Sequence, residues 1–243
     1  MAPSWLIERP YAHRGLHGLE TGLPENCLGG FEAAIKGGYG IELDVQESSD
    51  GEPVVFHDYT LNRLTGEKGP VAERSLAALE RITLRNSEER ISSLAEVLDT
   101  VAGRTPILIE VKTHHRSAGR FERAITAIVS DYGGPAAVMS FNIRSVMWFA
   151  NHAPAITRGL VATTFRYGGN DLPPSVALLP LPYSVKRCKA EFLAYDLRVL
   201  PTRNTESLRQ NGIPVLTWTV KRAEDREKAE RVADAMIFEG WRP

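Results

Sequence analysis

Two short apolar runs each carry charged residues at alternate positions: Gly40-Ile41-Glu42-Leu43-Asp44-Val45 and Ile107-Leu108-Ile109-Glu110-Val111-Lys112. Residues two apart in a strand face the same way, so Glu42 and Asp44 project together, as do Glu110 and Lys112. Ionised groups in an apolar strand are costly unless they are paired or bind a metal. Three carboxylates on two such strands point to a hard divalent cation, Mg²⁺ or Ca²⁺, since both prefer oxygen ligands. The competing explanation, that Asp44 or Glu110 merely marks a strand edge at the surface, weakens when both pairs are taken with two histidines.

Those histidines sit at matching places. Tyr11-Ala12-His13-Arg14-Gly15 ends a first short strand candidate, and Pro53-Val54-Val55-Phe56-His57-Asp58 ends another, just after the turn Ser49-Asp50-Gly51. A lone histidine is more often structural than catalytic. Together, His13 and His57 offer a proton acceptor and a proton donor near neutral pH. Arg14 adds a planar fork of donors suited to phosphate oxygens, and Lys112 adds a point charge. A metal, two imidazoles and two cations make a phosphodiester the natural substrate.

With these residues the chain resembles the glycerophosphodiester phosphodiesterase family. The resemblance is carried by His13-Arg14-Gly15, Pro24-Glu25-Asn26, Phe31 with Ala33-Ala34, Gly38, Glu42-Leu43-Asp44-Val45, Asp50-Gly51 and Val54 to Asp58. Leu61, Arg63 and Thr65 follow, then Ser93-Leu94 with Glu96-Val97-Leu98, Glu110-Val111-Lys112, Ser140-Phe141-Asn142 and Val215 to Val220. It is dense from Tyr11 to Lys112, thinner but in order beyond, and an ordered series is far more specific than any one motif. It implies a TIM (β/α)₈ barrel with one divalent ion on Glu42, Asp44 and Glu110. His13 and His57 would be the acid–base pair, and Arg14, Lys112 and Trp218 would face the substrate. The products implied are glycerol 3-phosphate and an alcohol such as choline or ethanolamine.

The chain also departs from the family pattern. Cys27 replaces the usual Thr or Ser after Pro-Glu-Asn, and Phe238-Glu239-Gly240-Trp241 replaces a Thr-Asp-x-Pro-like ending. The stretch from Tyr167 to Asp196 has little of the usual pattern. The alcohol-facing wall is therefore expected to differ, while the phosphate chemistry keeps all its charged residues.

Positioning these groups takes a strand–helix alternation. Strands are expected at 10–13, 40–45, 106–111, 136–140, 157–162, 191–196, 214–220 and 235–238. Helical patterns run from Cys27 to Lys36, Leu94 to Ala102, Arg116 to Asp131, Ile143 to Asn151, Thr205 to Gln210 and Ala223 to Val232. Such alternation argues for a parallel sheet, and eight repeats for a closed barrel with its site at the C-terminal strand ends. Pro173-Pro174 and Pro180-Leu181-Pro182 break the segment between the fifth and sixth strands. The chain stops soon after the last strand, so an eighth helix is expected to be absent. Residues 59–91 form the longest connection, a small insertion after the second strand.

The chain has 243 residues and a net charge of −1. That length is ordinary for one α/β barrel, and 1–243 reads as a single domain. The charge leaves no electrostatic footprint for nucleic acid or an anionic membrane. No apolar run is long enough to span a bilayer. Met1 to Glu8 reaches the first strand too soon for a signal peptide, and Cys27 and Cys188 read as reduced thiols. A cytoplasmic location is expected, with oligomeric state left open.

Weaker candidates have plainer explanations. His114-His115-Arg116 reads as a solvated loop, Lys186-Arg187 with Lys189 as a solvated face, and Lys221 to Lys228 as an exposed ion-paired helix. Phe141 fits a pocket wall, and Asp196 a strand end that could bind the substrate's alcohol. Two other functions stay open: a phosphodiesterase acting on lysophospholipids or sugar phosphodiesters, and a catalytically silent binding protein on the same barrel. An apolar lid would favour the lipid alternative, and loss of a histidine or metal carboxylate the silent one; the sequence has neither feature.

Overall fold

Short apolar strands buried on both faces, separated by amphipathic helices, close into a barrel. The computed structural model describes residues 2–18, 20–113, 119–163 and 181–243. Its strands are β1 (Tyr11–Ala12), β2 (Gly40–Glu47), β3 (Pro53–Val55), β4 (Ser92–Ser93), β5 (Ile107–Val111), β6 (Ala136–Ser140), β7 (Thr157–Ala162), β8 (Phe192–Asp196), β9 (Val215–Val220) and β10 (Ala235–Phe238). The parallel order β1-β10-β9-β8-β7-β6-β5-β2 closes through a β1–β2 pairing, giving an eight-stranded TIM barrel. β3 and β4 add antiparallel pairs to the far end of β2.

The helices are α1 (Leu28–Lys36), α2 (Leu76–Leu79), α3 (Leu94–Val101), α4 (Arg120–Asp131), α5 (Ile143–His152), α6 (Leu181–Cys188), α7 (Arg203–Gln210) and α8 (Arg226–Val232). Their starts follow capping chemistry. Cys27 accepts from the Gly30 N–H at 3.2 Å, Ser93 from Glu96 at 3.2 Å and Asn142 from Arg144 at 3.0 Å. α6 is described from Leu181 and includes Pro182, which a helix tolerates near its N-terminus because the missing donor has no partner in a first turn. Pro173, Pro174 and Pro180 lie outside the described residues, whereas Leu181 and Pro182, expected to break the segment, lie within a helix. Residues 239–243 carry no helix. The expected start of α4 at Arg116 lies outside the described residues.

Alternation along β2 and β5 sorts the chemistry from the packing. Ile41, Leu43, Val45, Ile107, Ile109 and Val111 face outward into the main core beneath the helices. The intervening Glu42, Asp44, Glu110 and Lys112 face the barrel interior. Below them the interior is filled by Leu6, Tyr11, Leu108, Phe192, Leu216 and Ile237, among others. Leu6, on a 3₁₀ turn ahead of β1, closes the N-terminal end, and its carbonyl accepts from the Tyr11 hydroxyl at 3.1 Å. The connection from β2 to α3 has a small core of its own, built on Val54, Phe56, Leu61, Val71 and Leu79. No helix of the described residues is long and apolar enough to cross a membrane.

Interior packing fixes side-chain size. Gly159 of β7 pairs with Phe192 of β8, and a Cβ built at Gly159 collides with the fully buried Phe192 ring. Gly159→Ala should therefore destabilise the barrel by about 1–3 kcal/mol through overpacking. Chemical denaturation measures this directly; an unchanged midpoint would show that the ring has room to move.

Candidate active site

Register brings the charged groups together at the C-terminal mouth. Asp44 pairs laterally with Glu110, and Glu42 lies one pleat repeat back on the same face. Oxygens of Glu42, Asp44 and Glu110 lie within 4.8 Å of one another. Glu42 and Asp44 are each only 1% exposed. Lys112 Nζ lies 3.2 Å from Asp44 and 3.0 Å from Glu110, and Arg14 Nε lies 3.3 Å from Asp44. Two cations thus face three carboxylates.

That imbalance is felt by Glu42. Burial, then the charges of Asp44 and Glu110, raise its carboxyl well above the ordinary value. Burial also works to raise Asp44, but Lys112, His57 and Arg14 outweigh it and hold that carboxyl well below the usual range. Burial would lower Lys112, yet Asp44 and Glu110 keep its ammonium charged. A three-oxygen cluster with surplus negative charge suits one hard cation, whose oxygen ligands lie at about 2.0–2.6 Å. The residues fit such an ion.

Each histidine is held by a carboxylate. His13, at the end of β1, has its Nδ1 2.7 Å from Glu239 Oε2, and Lys221 donates to the other Glu239 oxygen at 3.1 Å. His57 Nδ1 lies 2.7 Å from Asp58 Oδ1. With ionised carboxylates at Nδ1, the Nε2 atoms are left for proton exchange. Burial lowers the His13 imidazole against the raising effect of its Glu239 bond. β3 stops at Val55, two residues short of His57, so the histidine rides on a loop. That loop is tied down by Gln46, whose amide donates to the carbonyls of Phe56 at 3.0 Å and Asp58 at 2.5 Å.

Arg14 and Asn26 take left-handed backbone conformations, with φ of 55° and 57°. Asn26 donates to the carbonyl of Arg14 at 2.8 Å, and its amide donates to Asp44 at 2.9 Å. The Arg14 guanidinium donates to Glu25 at 2.8 Å. A cavity of about 800 Å³ opens over these groups, lined by His13, Arg14, Glu42, His57, Glu110 and Lys112. Phe141 and Trp218 form its aromatic wall, edge to face with centroids 5.5 Å apart. Asp44 lies beneath.

All eight residues expected at the site therefore converge. Asp196 reaches the cavity, and its oxygens accept from Thr163 at 3.0 Å and from the backbone and side chain of Arg198 at 3.0 and 2.9 Å. The cluster Lys186, Arg187 and Lys189 is on the outer face of the barrel, exposed as expected. His114-His115-Arg116 lies outside the described residues. Sequence reading gave no role to Glu25, Asn26, Gln46, Asp58, Arg63 or Glu239. A carboxylate next to His57 was the available signal for Asp58, and the strand-end position for Glu239.

The glycerophosphoryl diester phosphodiesterase family model matches residues 13–239. The chain belongs to that family. It is 29% identical over 227 residues to a glycerophosphodiester phosphodiesterase of Caldanaerobacter subterraneus subsp. tengcongensis, covering 89% of this chain and 87% of that one. A glycerophosphodiester phosphodiesterase of Bacillus altitudinis is 40% identical over 109 residues, 42% of this chain and 43% of its own. Among solved structures, an Oleispira antarctica phosphodiesterase in complex with the product sn-glycerol-3-phosphate superposes with a TM-score of 0.82 at 22% identity. That match covers 96% of this chain and 93% of the other. Family membership makes this protein a phosphoric diester hydrolase.

The raised Glu42 carboxyl has a measurable consequence. A divalent ion on the cluster requires Glu42 ionised, so its binding should release a proton and strengthen as pH rises toward and past the raised pKa. Titration calorimetry with Mg²⁺ or Ca²⁺ in buffers of different ionisation enthalpy reads the proton count. A binding heat independent of buffer at every pH across the titration would contradict it.

Proposed function

We propose that the protein hydrolyses glycerophosphodiesters to glycerol 3-phosphate and an alcohol, acting as one barrel with residues 59–91 as an insertion. Glu42, Asp44 and Glu110 would hold one Mg²⁺ or Ca²⁺. When bound, such an ion supplies charge neutralisation at a non-bridging phosphate oxygen. Arg14 and Lys112 share that charge from the protein side. One of His13 and His57 takes a proton from the nucleophile, and the other protonates the leaving alkoxide. The nucleophile is water or the substrate's neighbouring hydroxyl, and early appearance of a cyclic phosphate in ³¹P NMR distinguishes them. Trp218 with Phe141 would pack against the carbon part of the substrate.

The observation that carries this reading is the pair of imidazoles, each with Nδ1 2.7 Å from a carboxylate, at the mouth of a barrel that also carries the three-carboxylate cluster. The named product of the Oleispira structure supports the glycerol phosphate half. Free thiols at Cys27 and Cys188 fit a reducing, cytoplasmic setting.

EDTA should abolish release of alcohol from glycerophosphocholine, and Mg²⁺ or Ca²⁺ should restore it. His13→Ala and His57→Ala should each lower kcat by roughly 10²–10⁴ with the fold and metal binding retained. Full turnover after metal stripping, or wild-type kcat in either variant, would sink the corresponding assignment.

Hydrolysis of several glycerophosphodiesters with no single strong favourite is expected, or else a better substrate outside that set. The wall at the ends of β8, β9 and β10 departs from the family pattern, and contacts to remote parts of a substrate set discrimination through the transition state. The measurement is kcat/KM across glycerophosphocholine, glycerophosphoethanolamine, glycerophosphoinositol, a lysophospholipid and a sugar phosphodiester. A preference of about a hundredfold for glycerophosphocholine over all the others would refute this expectation.

A further inference from the structure

Arg63 belongs to the connection between β2 and α3, its side chain half exposed at the rim of the site. All three nitrogens of its planar fork are engaged. Nε and Nη2 donate to the two Asp58 oxygens at 2.6 and 2.8 Å. Nη1 and Nη2 donate to the two Glu25 oxygens at 2.9 and 2.7 Å. One guanidinium therefore grips two carboxylates, each in a bidentate geometry that a lysine cannot reproduce.

Both carboxylates reach further into the site. Asp58 Oδ1 is the partner of His57 Nδ1 at 2.7 Å, and Glu25 Oε1 accepts from Arg14 Nη1 at 2.8 Å. Ligand atoms of Glu25, His57 and Asp58 also lie within 4.8 Å of one another, a second acidic cluster beside that of Glu42, Asp44 and Glu110. Here the cation is covalently supplied: the Arg63 guanidinium bridges the two carboxylates.

We infer that Arg63 is a positioning residue that locks His57 and Arg14 into one frame, so that the proton-transferring imidazole and the phosphate-facing guanidinium hold a fixed separation. This rests on the phosphodiesterase reading for its catalytic consequence, though not for its geometry. Arg63 acts through Asp58 on His57 and through Glu25 on Arg14. Arg14 keeps a second anchor at Asp44, whereas the Nδ1 atom of His57 leans on Asp58. Loss of Arg63 should therefore fall mainly on His57.

The test compares Arg63→Ala and Arg63→Lys with the wild type, each metal-loaded and checked for fold by thermal melting. In Arg63→Ala, kcat for glycerophosphocholine should fall by about 10–100-fold, the range typical of lost supporting partners, with the smaller part of the loss in KM. Added guanidinium ion should restore part of that kcat in Arg63→Ala, and Arg63→Lys should recover little. Ring ¹⁵N–¹H spectra should show the Nδ1–H signal of His57 weakened or shifted in Arg63→Ala, a change independent of turnover. Wild-type kcat together with an unchanged His57 signal would overturn the positioning role. If the wild type hydrolyses no phosphodiester while the His57 signal still depends on Arg63, the proposed reaction fails and the positioning role stands.

Discussion

Parallel register sets Asp44 of β2 directly beside Glu110 of β5, with Glu42 on the same inward face. Like charges this close, inside a barrel and away from water, repel strongly, since effective screening there is far weaker than in bulk water. The surrounding architecture answers that repulsion in stages. Lys112, one residue beyond β5, sits between Asp44 and Glu110, and Arg14 reaches Asp44 from the end of β1. One carboxyl's worth of negative charge remains, and Glu42, already pushed up by burial, is raised further by the charges of Asp44 and Glu110. The site is built one cation short.

The surrounding groups repeat a single theme of cation, carboxylate and imidazole. Lys221, Glu239 and His13 form one such series, and Arg63, Asp58 and His57 the other. In each, burial would favour a neutral carboxyl, and the flanking cation and imidazole hold it well below the usual carboxylate range instead. The two series are anchored differently. Glu239 follows the last barrel strand, whereas Asp58 and Arg63 belong to the connection between β2 and α3. One imidazole is thus fixed by the barrel itself and the other by an added layer.

The period-2 pattern made the inward set on β2 and β5 legible, because apolar and charged residues alternate from Ile41 to Val45 and from Ile109 to Lys112. All eight strands were readable for the related reason that their apolar runs are buried on both faces. Gln46 continues the same inward series as Glu42 and Asp44, yet an amide gives no charge signal, and its two carbonyl partners are ten and twelve residues away. Glu25 and Arg63 were visible as motif residues without a role, because their meaning lies in a contact spanning 38 positions. The helical character of Leu181–Cys188 was obscured by Pro182, which reads as a breaker. The place of Asp196 at the cavity was legible from its strand-end position, but its bonds to Arg198 and Thr163 were not, because position alone does not reveal partners.

Leu6, Tyr11 and the apolar interior beneath the charged groups seal one end of the barrel. The reaction chamber is therefore a blind well rather than a tunnel. In the proposed reaction both products must leave by the mouth through which the diester entered, and traffic is sequential. The alcohol, untethered once its ester bond is cut, can depart first, while the phosphate-bearing fragment stays against Arg14 and Lys112. A well of this kind makes the anionic product the natural competitor of the next substrate, coupling turnover to how quickly that fragment is drained from its surroundings.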